Sequence, residues 1–355
     1  MFKYLNPKLD FFGLDISDTS LKLAKIKKEK DGFSLSAYGK KELTPGIIEK
    51  GKVKDEDLLA SEISKLAKRK KLENDYVATS LPEEKSFFQI IQIPKVKRSR
   101  LKEMIEYEAE DYIPLAVEDI YLDYEVISEK KDRMDILVTA LPKKVVDPHV
   151  SAIKKAGLFP VVAEVESVSI VRALVKEKEE ASPLLLIDIG ETKTILIILS
   201  KNIIIFTSYI LTSSLDFTEK IAEDNSIPLR EAEKIKVEHG INSDERPDIR
   251  KTLEPLLEET AETIKKHLAY YNSSHGFAIQ GDNTEEIEKI ILSGGGANLK
   301  GLVEFLADKL NVSVEKGDPF VNLTEESKNF FQGNSLSYGT AFGLALRNFD
   351  QGNTF

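Results

Sequence analysis

Short apolar runs bounded by Gly, Pro, Asn or Asp alternate along the chain with stretches where apolar residues return every three to four positions. The first pattern predicts strands, the second amphipathic helices. Phe11–Ile16, Ser20–Lys27 and Gly32–Lys40 read as strands. Lys54–Leu72 reads as a helix with Leu58, Leu59, Ile63, Leu66 and Ala67 on one face, and Asp75–Leu81 as a strand closed by Pro82. Phe87–Ile93 is a further strand. A helix then runs from Ser99, an N-cap residue, through Leu101, Met104, Ile105, Tyr112 and Ile113 to Pro114. Strands Tyr121–Ser128 and Met134–Leu141 follow, then a helix ending near Gly157. Residues 85–145 therefore read as a compact α+β insertion.

The pattern restarts at Leu184. Strands are expected over 184–189, 193–200 and 202–211, with a Lys201-Asn202 hairpin turn. Asp216–Glu223, Leu229–Glu238 and Lys251–Tyr271 read as helices, and polar Asn272–Thr284 as a loop. Strand Lys289–Leu292, the turn "SGGGAN" and helix Leu299–Leu310 come next. Residues 312–335 read as irregular, and the small-residue stretch "SLSYGTAFGLALR" as a closing helix. Two segments echo each other: "LDISDTSLK" (Leu14–Lys22) and "LLLIDIGETKT" (Leu184–Thr194) align on Asp15 and Asp188. Both place an Asp at a strand end before a polar turn and a second apolar strand. The echo suggests two related halves facing something together.

A length of 355 residues fits two or more domains. A net charge of −10 argues against general nucleic-acid binding, and the basic clusters Lys68–Lys71 and Lys95–Lys102 read as solvated faces diluted by acidic neighbours. The absence of cysteine excludes disulfides and thiolate chemistry, and the scattered His149, His239, His267 and His275 show no zinc-ligand spacing. No run is long and apolar enough for a membrane span, and the opening "MFKYLNPKLDFFG" shows no secretory signal. Phe2, Tyr4 and Leu5 there read as a flap on the body or as a short amphipathic anchor. A cytoplasmic protein is expected.

The turn after Asp15 offers backbone N–H groups and the hydroxyls of Ser17, Thr19 and Ser20 to an anion, with Lys22 adding charge. Asp15 and Asp188 would face a phosphate only across a cation, and suit Mg²⁺ held through water. Gly190, Thr192, Lys193 and Thr194 repeat the offer. Gly294, Gly295 and Gly296, with Asn298, sit where a strand meets a helix and allow backbone to lie against a ring or sugar. Glu233 and Lys236 share a helical face, by default as a surface ion pair. Taken singly, each turn is an ordinary one.

Two Asp-hydroxyl hairpins followed by a Gly-rich strand–helix turn resemble the superfamily of actin, DnaK-type chaperones and sugar kinases. The resemblance implies a duplicated α/β, actin-like (ribonuclease H-like) fold. The hairpins would clasp the phosphates of ATP with Mg²⁺, the glycine turn would support the adenosine, and Glu233 and Lys236 would match an adenosine-side Glu-x-x-Lys pair. "YEAEDYIPLAVEDIYLDYEVI" (Tyr107–Ile127), with the stretch Leu141–Leu174, "FFGLDISDTSLKLAKI" and "LSGGGANLKGLVEFL", is similar to PilM, the FtsA-like family of type IV pilus assembly proteins. That family resemblance implies an FtsA-type 1C insertion in place of actin's 1B.

The subdomains would run as 1A (1–84), 1C (85–145), 1A again (146–183), 2A (184–215), 2B (216–285), 2A again (286–335), and a helix over 336–355 returning to 1A. It also implies a cytoplasmic ATP-binding scaffold, peripheral at the inner membrane. Its partner would be the N-terminal cytoplasmic peptide of a PilN-like protein of the inner-membrane pilus assembly complex. The family's partner groove lies between 1A and 1C, so the peptide would sit in the 85–180 region, with Tyr112, Ile113, Pro114 and Leu115 as candidate contacts. Self-association or polymerisation stays open by analogy.

Ser17 stands where the family usually has Gly, and Glu191 and Lys193 stand where small residues are common. Glu166 is the candidate for positioning an attacking water, an exposed helix residue being the alternative. ATP is expected to act as a conformational ligand with at most slow hydrolysis. The alternatives are a small-molecule kinase, for which no separate Asp-bearing segment is found, and a nucleotide-free adaptor.

Overall fold

A computed structural model describes residues 10–176, 182–242, 246–273 and 286–349. Phe2, Tyr4 and Leu5, His275 and most of the polar stretch after Tyr271 lie outside them. The chain divides into two compact units, one holding residues up to Lys176 and again from Pro319, the other holding 177–318.

In the first unit, β1 (Phe11–Ile16), β2 (Ser20–Glu29) and β3 (Gly32–Glu42) form an antiparallel meander. A small hairpin of β4 (Ile48–Glu49) and β5 (Lys52–Val53) leads into α1 (Glu56–Arg69). Asp55 caps α1 by accepting the Leu58 N–H at 2.9 Å. Leu59, Ile63, Leu66 and Ala67 are buried against Leu14, Leu21, Leu23 and Val77 as predicted, whereas Leu58, expected on the same face, is exposed. β6 (Tyr76–Leu81) pairs parallel with β1.

An insertion follows: β7 (Phe87–Pro94), α2 (Arg98–Ala109), β8 (Ile120–Glu129) and β9 (Arg133–Pro142). Its three-stranded antiparallel sheet has the order β7-β9-β8, and Leu101, Ile105 and Ala109 of α2 join its core. The insertion is the α+β body expected over 85–145, but α2 differs from expectation at both ends. Lys97, with no side-chain cap bond, precedes it, and Ser99 lies inside. It stops at Ala109 because the last turn tightens ahead of Pro114, which disfavours helical geometry at Ile113. Next come α3 (Lys143–Lys155), β10 (Phe159–Val165) and α4 (Glu166–Leu174). The sequence reading assigned no elements to this last strand and helix. The completed sheet has the order β10-β6-β1-β2-β3.

The second unit repeats the plan. β11 (Leu184–Ile189), β12 (Thr194–Ser200) and β13 (Ile203–Ile210) form the meander, and Lys201 and Asn202 take positive φ at its expected turn. Then come α5 (Ser214–Asn225), α6 (Leu229–His239), α7 (Pro247–Ser273), β14 (Lys289–Ser293), α8 (Leu302–Leu310) and β15 (Ser313–Lys316). The sheet order β13-β12-β11-β14-β15 matches that of the first unit, with two parallel strands added beside the meander. The echo around Asp15 and Asp188 is thus an echo of topology. α8 starts three residues later than expected because Gly301, at φ +85°, breaks the chain's path.

The chain then returns to the first unit through α9 (Glu325–Phe330) and α10 (Gly339–Leu346). β15 and α9 correct the expectation that 312–335 is irregular. α10 lies so close to β1 and α4 that a Cβ on Gly13 would fall 2.4 Å from Ala341 O, and one on Gly343 1.7 Å from Ser169 O. Among the described residues no helix is long and apolar enough to cross a membrane.

Candidate functional site

Asp15 ends β1 and is buried. Its cross-strand partner is Lys22, whose ammonium lies 3.4 Å from Oδ2. Ser80, from β6, donates its hydroxyl to Oδ1 at 3.0 Å and accepts the Ile16 N–H at 3.0 Å. The turn closes on itself: Ser17 donates its hydroxyl to Ser20 O at 2.9 Å and accepts the Ser20 N–H at 3.2 Å. Ser17 is therefore the staple of this turn. Asp18 accepts the N–H groups of Lys50 (2.7 Å) and Gly51 (2.9 Å), which have positive φ in the β4–β5 turn. This carboxylate filling a nest of main-chain donors was not foreseen, because the two turns are far apart in sequence.

Asp188 occupies the same place in the second sheet, half-buried, opposite Ile195 on one side and Ser293 on the other. Ser293 is the counterpart of Ser80, yet its hydroxyl is buried with no hydrogen-bond partner. The turn is closed by Gly190 N–H donating to Lys193 O at 2.9 Å. Thr194 donates to Thr212 O at 2.7 Å, so it holds the start of β12 rather than standing free. Glu191 is exposed, while Thr192 and Lys193 are half-buried.

Three glycines follow β14. A Cβ on Gly294, which has φ +80°, would lie 2.3 Å from Ile189 O, and one on Gly296 2.4 Å from Ile189 Cγ2. These two glycines are required by packing of the loop onto the strand that carries Asp188. Gly295 is half-buried and Asn298 exposed.

Of the Glu233–Lys236 pair, Glu233 lies at the surface and Lys236 is buried. Lys236 is 5% exposed, and its ammonium donates to Ser214 O (2.8 Å), Ser214 Oγ (2.8 Å) and Thr218 Oγ1 (2.7 Å), with Glu233 Oε2 at 2.7 Å. Thr218 donates in turn to Glu233 at 2.5 Å. Burial lowers the Lys236 pKa, opposed by Glu233 and by Glu191 of the hairpin turn. Ser214 is itself tied to that turn, its N–H donating to Gly190 O at 3.0 Å. Hairpin, α5 and α6 form one polar network. Ser214 and Thr218 gave no sequence signal, since neither belongs to a motif.

Glu166 opens α4 and is buried, not exposed. It accepts the Glu83 N–H at 3.0 Å, while Glu83 accepts the Ser167 N–H at 3.1 Å. The two glutamates cap each other's turns where the insertion leaves β6.

The insertion has a small recess lined by Phe87, Gln89, Ile91, Ala109, Tyr112, Ile113 and Val138. It lies beside β7, an edge strand of the sheet. Two of the expected contacts, Tyr112 and Ile113, line it.

The profile of the type IV pilus assembly protein PilM matches residues 13–349. The chain belongs to the PilM family. Among solved structures, one described as a PilM-PilN type IV pilus biogenesis complex is similar at 26% identity, covering 97% of this chain and 100% of that one, with a TM-score of 0.81. The ethanolamine utilization protein EutJ from Carboxydothermus hydrogenoformans matches at 18% identity over 95% of this chain and 89% of its own, with a TM-score of 0.57. MreB 5 of Spiroplasma citri bound to AMPPNP matches at 14% over 96% of each chain, with a TM-score of 0.55. These likenesses establish that this PilM-family chain has the actin-like fold.

Proposed function

We propose that the chain is a cytoplasmic, actin-like scaffold of type IV pilus assembly, binding ATP with Mg²⁺ and the N-terminal peptide of a PilN-like inner-membrane protein. The family membership over residues 13–349 carries this reading, and the likeness to a PilM–PilN complex supports the partner. The recess beside the edge strand β7 suits an extended peptide, which would add main-chain bonds to the strand and an apolar side chain to the pocket.

The nucleotide reading has its support in the second unit. An orphaned buried hydroxyl at Ser293, beside Asp188, fits a ligand-completed site, as does a network poised around Lys236. Asp188 would face the hydrated Mg²⁺, which lends the phosphates a counter-charge, and Asp15 is its counterpart in the first unit. Thr19, Thr192 and Lys193 would supply donors from turns that Ser17, Ser20 and Gly190 close, and Gly295, Asn298, Glu233 and Lys236 would orient the nucleoside. Lys22 and Thr194 would hold the turns in shape. Glu166 is assigned no proton transfer, since its carboxylate accepts a main-chain N–H in the interior.

Calorimetric titration tests both ligands. Asp188→Asn is expected to weaken Mg²⁺-dependent ATP binding about tenfold, the scale of one lost charge-assisted contact. No binding at millimolar ATP would leave the adaptor reading. Tyr112→Ala is expected to weaken peptide binding, and unchanged affinity on deleting residues 87–142 from a still-folded protein would overturn the recess as its site.

A further inference from the structure

Two helices of the first unit handle charge in opposite ways. α1 is built as the helix dipole prefers: Asp55, Glu56 and Asp57 at its start, Lys68 and Arg69 at its end. α2 is reversed. Lys97 caps it and Arg98, Arg100 and Lys102 fill its first turns, while Glu106, Glu108, Glu110 and Asp111 gather at its end. Both ends oppose the dipole. Among the described residues no carboxylate lies within 4.0 Å of Lys97 or Arg100, and no cation within that distance of Glu103, Glu108 or Glu110. Lys102 and Glu106 pair with each other at 3.7 Å, so pairing along the helix offsets the reversal only in part.

The outward face shows what could. Leu101, Ile105 and Ala109 point into the insertion's core. The opposite stripe is Arg100, Glu103, Tyr107 and Glu110, spaced i, i+3, i+7 and i+10 along the helix, all exposed and Tyr107 at 72%. Turned end for end, this stripe complements itself. Arg100 meets Glu110 of a second copy, Glu103 meets the Tyr107 hydroxyl, and the two remaining pairs repeat by symmetry. A surface basic at one end and acidic at the other is the pattern an isologous two-fold contact requires.

We propose that α2 pairs antiparallel with α2 of a second copy of this chain, forming a weak dimer set by charge. Each copy's reversed dipole is neutralised by the other. One helix pair buries less than a standard stable interface, so the contact is weak and salt-sensitive. It goes beyond the assembly role above and does not depend on nucleotide or peptide binding.

Sedimentation velocity on the full chain, across a concentration series, tests it. Association is expected at about 20 mM salt and loss of it at about 0.5 M. Arg100→Glu and Glu110→Arg each place like charges in contact twice per dimer, and each is expected to weaken association at least about tenfold. An equimolar mixture of the two variants is expected to form a mixed dimer, and the double variant to associate like wild type. A wild type monomeric at low salt, or single variants that associate unchanged, would overturn the proposal. Both substitutions lie on the exposed stripe, and unfolding transitions of each variant check that the fold is kept.

Discussion

Asp15 and Asp188 occupy the same place in two sheets of the same strand order, yet they keep different company. Asp15 is set against Lys22 and receives a hydroxyl from Ser80, and its turn is stapled by Ser17 and Ser20. Across from Asp188 stands Ile195, which brings no charge, and the matching hydroxyl of Ser293 finds no partner. The second hairpin is held instead by backbone, with Gly294 and Gly296 pressed onto Ile189 and Ser214 tied to Gly190. The first turn spends its polar groups on its own stability. The second leaves polar capacity buried and unmet, and fixes its shape by close packing. Unmet groups of that kind gather where a ligand completes the structure.

This contrast breaks most visibly at Gly294. Gly294→Val drives a side chain into the Ile189 backbone at a positive φ and is expected to cost more than about 3 kcal/mol, with urea unfolding showing loss of the second unit. Ser17→Gly in the other turn is expected to cost only about 1 kcal/mol, one side-chain staple. Next comes Lys22→Met, which leaves the Asp15 carboxylate buried without its cation, at about 3 kcal/mol. Adding Asp15→Asn to that variant is expected to recover most of the loss, and a double-mutant cycle reads the pair directly.

Lys236→Met removes three hydrogen bonds but also a desolvated charge, so about 1 kcal/mol is expected from unfolding measurements. The smallest effect is at Tyr338, near the first turn. Burial first, then the nearby Tyr38, with a small part from Asp15, holds its hydroxyl up to about 12. A raised folded pKa means stability present below pH 10 that is lost as pH climbs through about 12. Tyr338→Phe is expected to flatten that part of the stability–pH curve.

The fold was legible where apolar spacing is regular. The face of α1, both meanders and the Lys201-Asn202 turn follow from local pattern, and the Asp15–Asp188 echo anticipated a real duplication. Local pattern failed where distant residues decide. Ser99 is a good cap in isolation, but the chain stays extended only through Lys97, which takes the cap position two residues earlier. Lys236 reads as a surface lysine until α5 supplies Ser214 and Thr218 around it. Two of the three glycines taken for ligand contact are explained by Ile189, a residue no spacing rule connects to them. Ser80, which donates to Asp15, and the main-chain donors of Asp18 likewise come from β6 and the β4–β5 turn, supplied by tertiary structure alone.

The seating of α10 has a consequence for the order in which the molecule is made. Phe11 and Ala78, early in the chain, share a cluster with Leu344, and Gly13 and Gly343 exist to let α10 slide into place. During synthesis the second unit is one continuous stretch and can close its core as it emerges. The first unit waits with its sheet uncovered on that side until 339–346 leaves the ribosome. The first half to be translated is therefore the last to finish folding, and a stalled chain exposes the apolar bed of α10 rather than the hairpin of Asp188.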